Sequence, residues 1–385
     1  MKKVLVVASV ISMIEWFNKE NLQFLKQNLG CDVHLATHFE YLEDTNPQRT
    51  RAYIETLKSQ GIKLHHIPFA RSPFAWSNIK LYKQLKKLID QEQFDLIHCH
   101  TPTASVLTRL AARKSRQRGT HVMYTCHGFH FHASAPVKNW LTYYPVEWVL
   151  SWFTDTLVTI CREDYGRLAH FHMKNKRYIP GVGVDITHIQ QVAIDKAKKK
   201  KSIGVPADGV LVLSVGELIP RKNHQVIIRA LGKLKNPNIY YAICGKGPLA
   251  EELRLLANQC GLAERFLLLG FRQDIPELLH AADISAFPSR IEGLGLAGIE
   301  ALAAGTPLVA SNVQGIKDYV IDGKTGFTCK PNDVDGFAKH IAYLAQNPAL
   351  RSEMKSACLA AIKPFEKEHA LRAMQDIYKG VLCKG

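Results

Sequence analysis

Two glutamates with three glycines between them hold the most specific chemistry in this sequence: Glu292-Gly293-Leu294-Gly295-Leu296-Ala297-Gly298-Ile299-Glu300. The segment follows a strand-like run at 284–287 and opens a stretch of strong helix formers. A glycine-rich turn entering a helix leaves backbone N–H groups unpaired at the positive end of the helix dipole, and both attract an anion. Diphosphate is the matching guest. Glu292 is expected in the loop and Glu300 on the helix, so each carboxylate could accept from hydroxyl groups on either side of a phosphate. The plainer alternative is a helix entry in which Glu292 only complements the dipole.

A second cluster, Ser214-Val215-Gly216-Glu217-Leu218-Ile219-Pro220-Arg221-Lys222-Asn223, ends another apolar run. Cations in the loop after a parallel strand suit a phosphate, Arg221 as a fork and Lys222 as a point charge. A solvated surface loop is the bland reading. A third cluster, Tyr124-Thr125-Cys126-His127-Gly128-Phe129-His130-Phe131-His132, places imidazoles after a strand. There His127 could hydrogen-bond a sugar hydroxyl or assist a proton transfer, and His130 is a weaker candidate for the same work. His132 reads as structural or exposed.

These clusters need strands to carry them. Apolar runs at 4–10, 32–37, 63–69, 95–100, 121–125, 156–161 and 176–180 alternate with helix-period segments such as 78–91. The alternation restarts at 210–215 and continues at 240–245, 266–270, 284–287 and 307–311. Strands joined by crossover helices predict parallel sheets. The chain therefore reads as α/β, with two facing Rossmann-like domains at 1–181 and 182–385. Pro180-Gly181-Val182-Gly183 marks the boundary, and the last helix, 365–382, is expected to pack back on the first domain. A lysine-rich segment at 196–201 is expected to be solvated.

The 385 residues are 46% hydrophobic and 22% charged, ordinary globular values that exclude a disordered chain. A formal net charge of +16 attracts polyanions. Nine scattered cysteines without ligand spacing read as buried apolar residues in a reducing, cytoplasmic setting. Lys2 and Lys3 before an apolar run imitate an export signal, but Glu15-Trp16-Phe17 replaces a cleavage site, so a buried first strand is expected. Asp333-Val334-Asp335 invites a metal reading; after Pro331-Asn332 it reads instead as a helix start, and no metal cofactor is expected.

The residues resemble family 4 of the retaining glycosyltransferases, which have the GT-B fold. The two spaced glutamates, Gly245-Lys246-Gly247-Pro248, Leu269-Gly270-Phe271-Arg272-Gln273-Asp274, Ala282-Asp283-Ile284 and Pro288-Ser289 are similar to that family's second domain. In the first domain Phe94-Asp95-Leu96-Ile97-His98-Cys99-His100, Cys126-His127-Gly128-Phe129-His130-Phe131 and Asp164-Tyr165 resemble a bacterial branch. That branch builds exopolysaccharide and capsule units on a lipid carrier.

The resemblance implies that Glu292 contacts the donor sugar and that Gly293, Leu294, Gly295 and Leu296 hold the diphosphate with backbone N–H groups. It gives Glu300 to the ribose, Lys222 and Gly216 to the donor, and Gly245, Phe271 and Arg272 to the base side. His127 lies near the transferred sugar. Ser12 and His130 belong to the acceptor side. Two departures stand out: Glu217 occupies a position where many members have arginine, with Arg221 as the candidate replacement, and Val10-Ile11-Ser12-Met13 lacks the paired glycines of the family's first loop.

The expected reaction moves a hexose or N-acetylhexosamine from a UDP-sugar to a lipid-linked saccharide. A nucleotide-sugar epimerase and a non-catalytic sensor are the alternatives. Lys80, Lys83 and Lys87 on one helix, and Arg109, Arg113 and Arg116 on another, suggest an anionic membrane surface as a further partner. No nucleic-acid module is present.

Overall fold

The computed structural model describes residues 1–39, 47–70 and 75–383. Among them the chain divides into two compact units, Met1–Val182 with Glu368–Gly385, and Gly183–Lys367.

The first unit is built on seven parallel strands: Lys3–Val10 (β1), Asp32–His38 (β2), Lys63–His66 (β3), Leu96–His100 (β4), His121–Cys126 (β5), Thr156–Thr159 (β6) and Asn175–Tyr178 (β7). Their order is β3-β2-β1-β4-β5-β6-β7. The apolar runs of β1 and β4 are buried on both faces, as a sheet covered by crossover helices requires. Leu81, Leu85 and Ile89 of the Ser77–Glu92 helix, and Leu107 and Ala111 of the Pro102–Ala111 helix, fill one core with β4 and β5. The Lys367–Leu382 helix closes the unit, burying Ala370, Met374, Tyr378 and Leu382 at helical spacing. It begins two residues later than expected, because Lys363–Phe365 forms a separate 3-10 turn.

The second unit has six parallel strands: Val210–Val215 (β8), Ile239–Cys244 (β9), Phe266–Gly270 (β10), Ile284–Phe287 (β11), Leu308–Ser311 (β12) and Gly326–Cys329 (β13). Their order is β10-β9-β8-β11-β12-β13. Each sheet reverses its strand order once, between β1 and β4 and between β8 and β11. Ligands of such sheets bind beyond the strand carboxyl ends at that reversal.

Two surface readings need correction. Arg109 is fully buried: it donates to both carboxylate oxygens of Glu147 at 2.8 and 3.0 Å and lies over the Tyr124 ring. Helical spacing brought Arg109 into line with Arg113 and Arg116, but the Val137–Ser151 helix covers its end of that face, and Arg116 is itself paired with Asp155. The 196–201 lysines are not simply solvated either. Lys200 is buried, donating to Asp283 at 2.6 Å and to the Gly209 carbonyl at 2.8 Å, while Lys196 pairs with Asp283 and Lys199 with Asp274. Asp283 also accepts from Leu211 N–H, so this acid just before β11 gathers Lys196 and Lys200. Lys80, Lys83 and Lys87 are exposed.

Candidate functional site

Each unit assembles its own group of candidate residues. In the second, the loops leaving β8 and β11 flank the strand-order reversal and are tied together by Arg290 N–H donating to the Arg221 carbonyl at 2.8 Å. Their side chains then converge. Lys222 Nζ and Arg221 Nη1 both donate to Glu292 Oε2, at 2.7 and 3.0 Å. Lys222 and Glu292 are mostly withdrawn from solvent, whereas Arg221 keeps 40% of its side chain exposed. Two cations on one carboxylate leave a local surplus of one positive charge. A diphosphate placed there would compete with Glu292 for both cations and free its carboxylate for another partner.

The helix that follows, Leu296–Ala303, starts from Gly295 at φ +83°, where a Cβ would lie 2.5 Å from the Phe287 ring. Glycine is required there by conformation and by space. Among the described residues no group accepts from the N–H of Gly293, Leu294 or Gly295. Free amides, a helix start and two cations are the features that suit an anion. Glu300 is half-buried on the same helix, no described residue donates to its carboxylate, and burial raises its pKa. Gly216 and Gly245 lie where β8 and β9 end side by side, and a Cβ on Gly245 would fall 1.9 Å from the Gly216 carbonyl oxygen. Phe271 is exposed, and Arg272 is clamped in a two-point pair on Asp274 at 2.7 and 2.5 Å. Glu217 points to solvent.

The first unit's group is neutral. His127 Nε2 lies 3.2 Å from His100 Nδ1; the His100 ring sits 4.0 Å from that of His98. His98 is in turn within hydrogen-bonding distance of Tyr378 OH and Thr125 Oγ1, at 2.7 and 2.8 Å. Burial lowers all three imidazole pKa values, His98 to about 3 and His127 to about 4, so the row is uncharged at neutral pH. His100 and His127 border a small cavity with Asn18, Asn21 and Thr125. His130 stacks on Tyr143 and lines a separate apolar cavity of about 140 Å³ with Phe129 and Phe131.

The expected loop at 10–13 is not a loop. The Ile11–Phe17 helix starts directly after β1, burying Ile11, Met13 and Ile14 and leaving Ser12 exposed on its first turn. Its missing glycines reflect that geometry. Asp333 caps the Val334–Gln346 helix, accepting from Gly336 N–H at 2.8 Å.

Residues 19–187 match the family model described as Glycosyltransferase Family 4, and residues 195–358 the model described as Glycosyl transferases group 1. EpsD of Bacillus subtilis, named as a glycosyltransferase, is 35% identical over 99% of this chain and 97% of its own. The chain is a family 4 glycosyltransferase. A second relative, the Escherichia coli UDP-Gal:alpha-D-GlcNAc-diphosphoundecaprenol alpha-1,3-galactosyltransferase, is 29% identical over 80% of this chain and 82% of its own. Among solved structures, Anabaena HepE in complex with UDP and glucose aligns with a TM-score of 0.75 at 21% identity, covering 99% of each chain. A Rickettsia africae glycosyltransferase aligns at 0.77 and 19%, over 100% of this chain and 99% of its own. Those two likenesses establish the GT-B fold class.

Within this family 4 glycosyltransferase, several supporting residues escaped the sequence reading. Gln314 accepts from Glu292 N–H at 3.2 Å, and Tyr319 OH donates to the Gly295 carbonyl at 3.0 Å. A Cβ on Gly298 would stand 2.4 Å from that Tyr319 hydroxyl, so this glycine makes room for the tyrosine and not for a phosphate. Asn223 donates to the Pro288 and Pro331 carbonyls, locking the β8 loop to its neighbours. The His98-Cys99-His100 motif was visible as a resemblance, but only β4–β5 pairing reveals that it abuts His127.

Proposed function

We propose that this glycosyltransferase transfers a hexose or N-acetylhexosamine, with retention, from a UDP-sugar to a lipid-linked saccharide in exopolysaccharide or capsule assembly. The observation that carries the donor half is the Arg221–Glu292–Lys222 cluster beside the free amides of Gly293, Leu294 and Gly295. The donor diphosphate draws Arg221 and Lys222 to itself, and the negative charge that grows on the leaving nucleoside diphosphate is stabilised by fixed cations and amides. Glu292, released, accepts hydrogen bonds from the donor sugar. Arg221 supplies the charge that Glu217 does not.

The sugar–phosphate bond breaks as the acceptor hydroxyl attacks on the same face of the sugar. The new glycosidic bond forms, and the hydroxyl proton passes to an oxygen of the leaving phosphate. Neutral His127 orients the donor sugar, and Glu300 holds ribose hydroxyls. Because Arg221 and Lys222 do the electrostatic work, turnover proceeds without a divalent metal. The E. coli relative's name supports a diphosphate-linked lipid acceptor, and the HepE complex supports a uridine nucleotide.

The test is a donor survey. The protein is incubated with UDP-, GDP- and ADP-sugars, with and without a bacterial membrane extract and with and without a chelator, and products are followed by mass spectrometry. Acceptor-dependent, chelator-resistant release of UDP with one added sugar on a lipid-linked product is expected. Isomerised free donor would instead support an epimerase, and tight donor binding without turnover a sensor.

A further inference from the structure

The Val137–Ser151 helix is apolar on the side that faces the core and on the side that faces water. Inward, Trp140, Tyr143 and Tyr144 pack on Phe131, Phe171 and their neighbours, and Leu150 is buried. Outward, Val137, Leu141, Val149 and Trp152 recur at helical spacing, with Leu141 73% and Trp152 54% exposed. A helix apolar all round belongs in an interior, yet this one lies at the surface. Its one acid, Glu147, is buried against Arg109, so no negative charge interrupts the outer stripe.

The ends of the stripe carry the opposite character. Lys138 is exposed beside Val137. Near Trp152, exposed Arg113 approaches the Phe153 ring at 5.9 Å, Arg116 donates to the Trp152 carbonyl at 3.0 Å, and exposed Lys174 lies two residues from His172. His172 also holds the aromatic pair in place, stacking on Trp152 at 4.0 Å and meeting Trp148 edge-on at 4.8 Å. Aliphatic side chains flanked by ordered tryptophans and by cations match the headgroup boundary of an anionic bilayer. At 15 residues the helix is too short to span one, and no described helix is long and apolar enough to do so.

We infer that this helix is an interfacial insertion element that lies in the plane of an anionic lipid surface, with Leu141, Val149 and Trp152 entering the acyl boundary. Its use rests on the lipid-linked acceptor proposed above. It goes beyond attraction by basic helix faces, because the holding force is apolar burial.

The experiment uses the full chain with phosphatidylglycerol–phosphatidylcholine vesicles at low and high salt. Co-sedimentation that survives high salt is expected, since screening removes electrostatic adsorption but not apolar insertion. The L141E/V149E variant should lower partitioning by about tenfold or more, with an unchanged melting temperature. Quenching of tryptophan emission by brominated lipid should vanish in W148F/W152F and persist in W76F, which removes the exposed tryptophan just before the Ser77–Glu92 helix. Binding that is lost with salt, that is indifferent to L141E/V149E, or whose quenching depends on Trp76 would overturn the inference, as would self-association through the stripe without vesicle binding. Transfer to a detergent-dispersed acceptor is measured alongside. Its absence in the wild-type protein would defeat the acceptor reading while leaving the vesicle result intact.

Discussion

The second unit keeps its candidate site charged, whereas the first keeps its own neutral. Around Glu292, two cations and one carboxylate sit in a part-exposed loop cluster. Around His127, two buried imidazoles and the half-buried His127 itself have their charged forms suppressed. On the function proposed above, the difference assigns two jobs: fixed charge to the nucleotide, whose phosphates change charge during transfer, and neutral hydrogen-bonding groups to the sugar, where a permanent cation would repel developing positive character.

Removing the charged half should have the largest effect. Lys222→Ala should lower kcat about 10²–10³-fold, the scale seen when one fixed stabilising group of a developing anion is deleted. His127→Asn, which preserves a neutral hydrogen-bonding group, should cost much less. Steady-state kinetics of both variants checks the order. A heavier loss in the histidine variant would break the division of labour.

The neutral half should instead reveal itself in stability. Tyr378→Phe leaves His98 Nδ1 buried without its 2.7 Å partner. A loss of about 1–3 kcal/mol is expected from an orphaned buried polar atom. Denaturant unfolding measures it. Because Tyr378 lies on the Lys367–Leu382 helix, amide exchange in that helix should rise with it.

How much of this contrast was legible in the sequence follows from its range. The Glu292–Glu300 segment and the Arg221-Lys222 pair are local patterns set beside strands, and short spacing exposes them. Both sheets were legible for the same reason, except β13, whose four residues open on a glycine and show only one alternation. Partnerships across the sheet were not legible. Arg109 looked like surface charge because helical spacing cannot show what packs over a helix, here Glu147. The lysines at 196–201 looked solvated because Asp283 lies more than eighty residues away. The Val137–Ser151 helix gave no sign of its exposed face, since a helix apolar on both sides has no pattern to orient it.

Acid should sharpen the comparison further. A histidine held neutral in the fold binds its proton only after unfolding, so between about pH 6.5 and pH 4 the unfolded chain carries more protons. Stability then falls as pH falls, by about 1.4 kcal/mol per pH unit for each such group. The first unit has His98 at about 3 and His127 at about 4, with His100 also held well below its usual value by burial, while the second has His224 at about 4. Asp164, raised to about 6 by burial, works in the opposite direction, because the folded chain holds its proton until higher pH. The first unit should open first on acidification, as read by peptide-resolved hydrogen exchange from pH 7 to pH 4.5. His98→Asn should flatten that dependence, and Asp164→Asn should steepen it. Equal acid sensitivity in both units would remove the electrostatic distinction.

The smallest effect tests whether the charged site is held by neutral support of its own. Tyr319 is buried, its hydroxyl donates to the Gly295 carbonyl at 3.0 Å, and Gly298 leaves no Cβ to displace it. That bond fixes the turn whose amides face the proposed diphosphate. Tyr319→Phe keeps the ring and removes only the donor, so about 1 kcal/mol of stability should be lost. If the bond merely stabilises the unit, kcat and KM will both stay unchanged at temperatures well below melting. If it aims the amides, KM for the donor should rise several-fold while binding of nucleoside without phosphate stays constant. That split would show that even the charged half depends on an uncharged hydrogen bond for its geometry, and would narrow the contrast between the units to the groups that touch substrate.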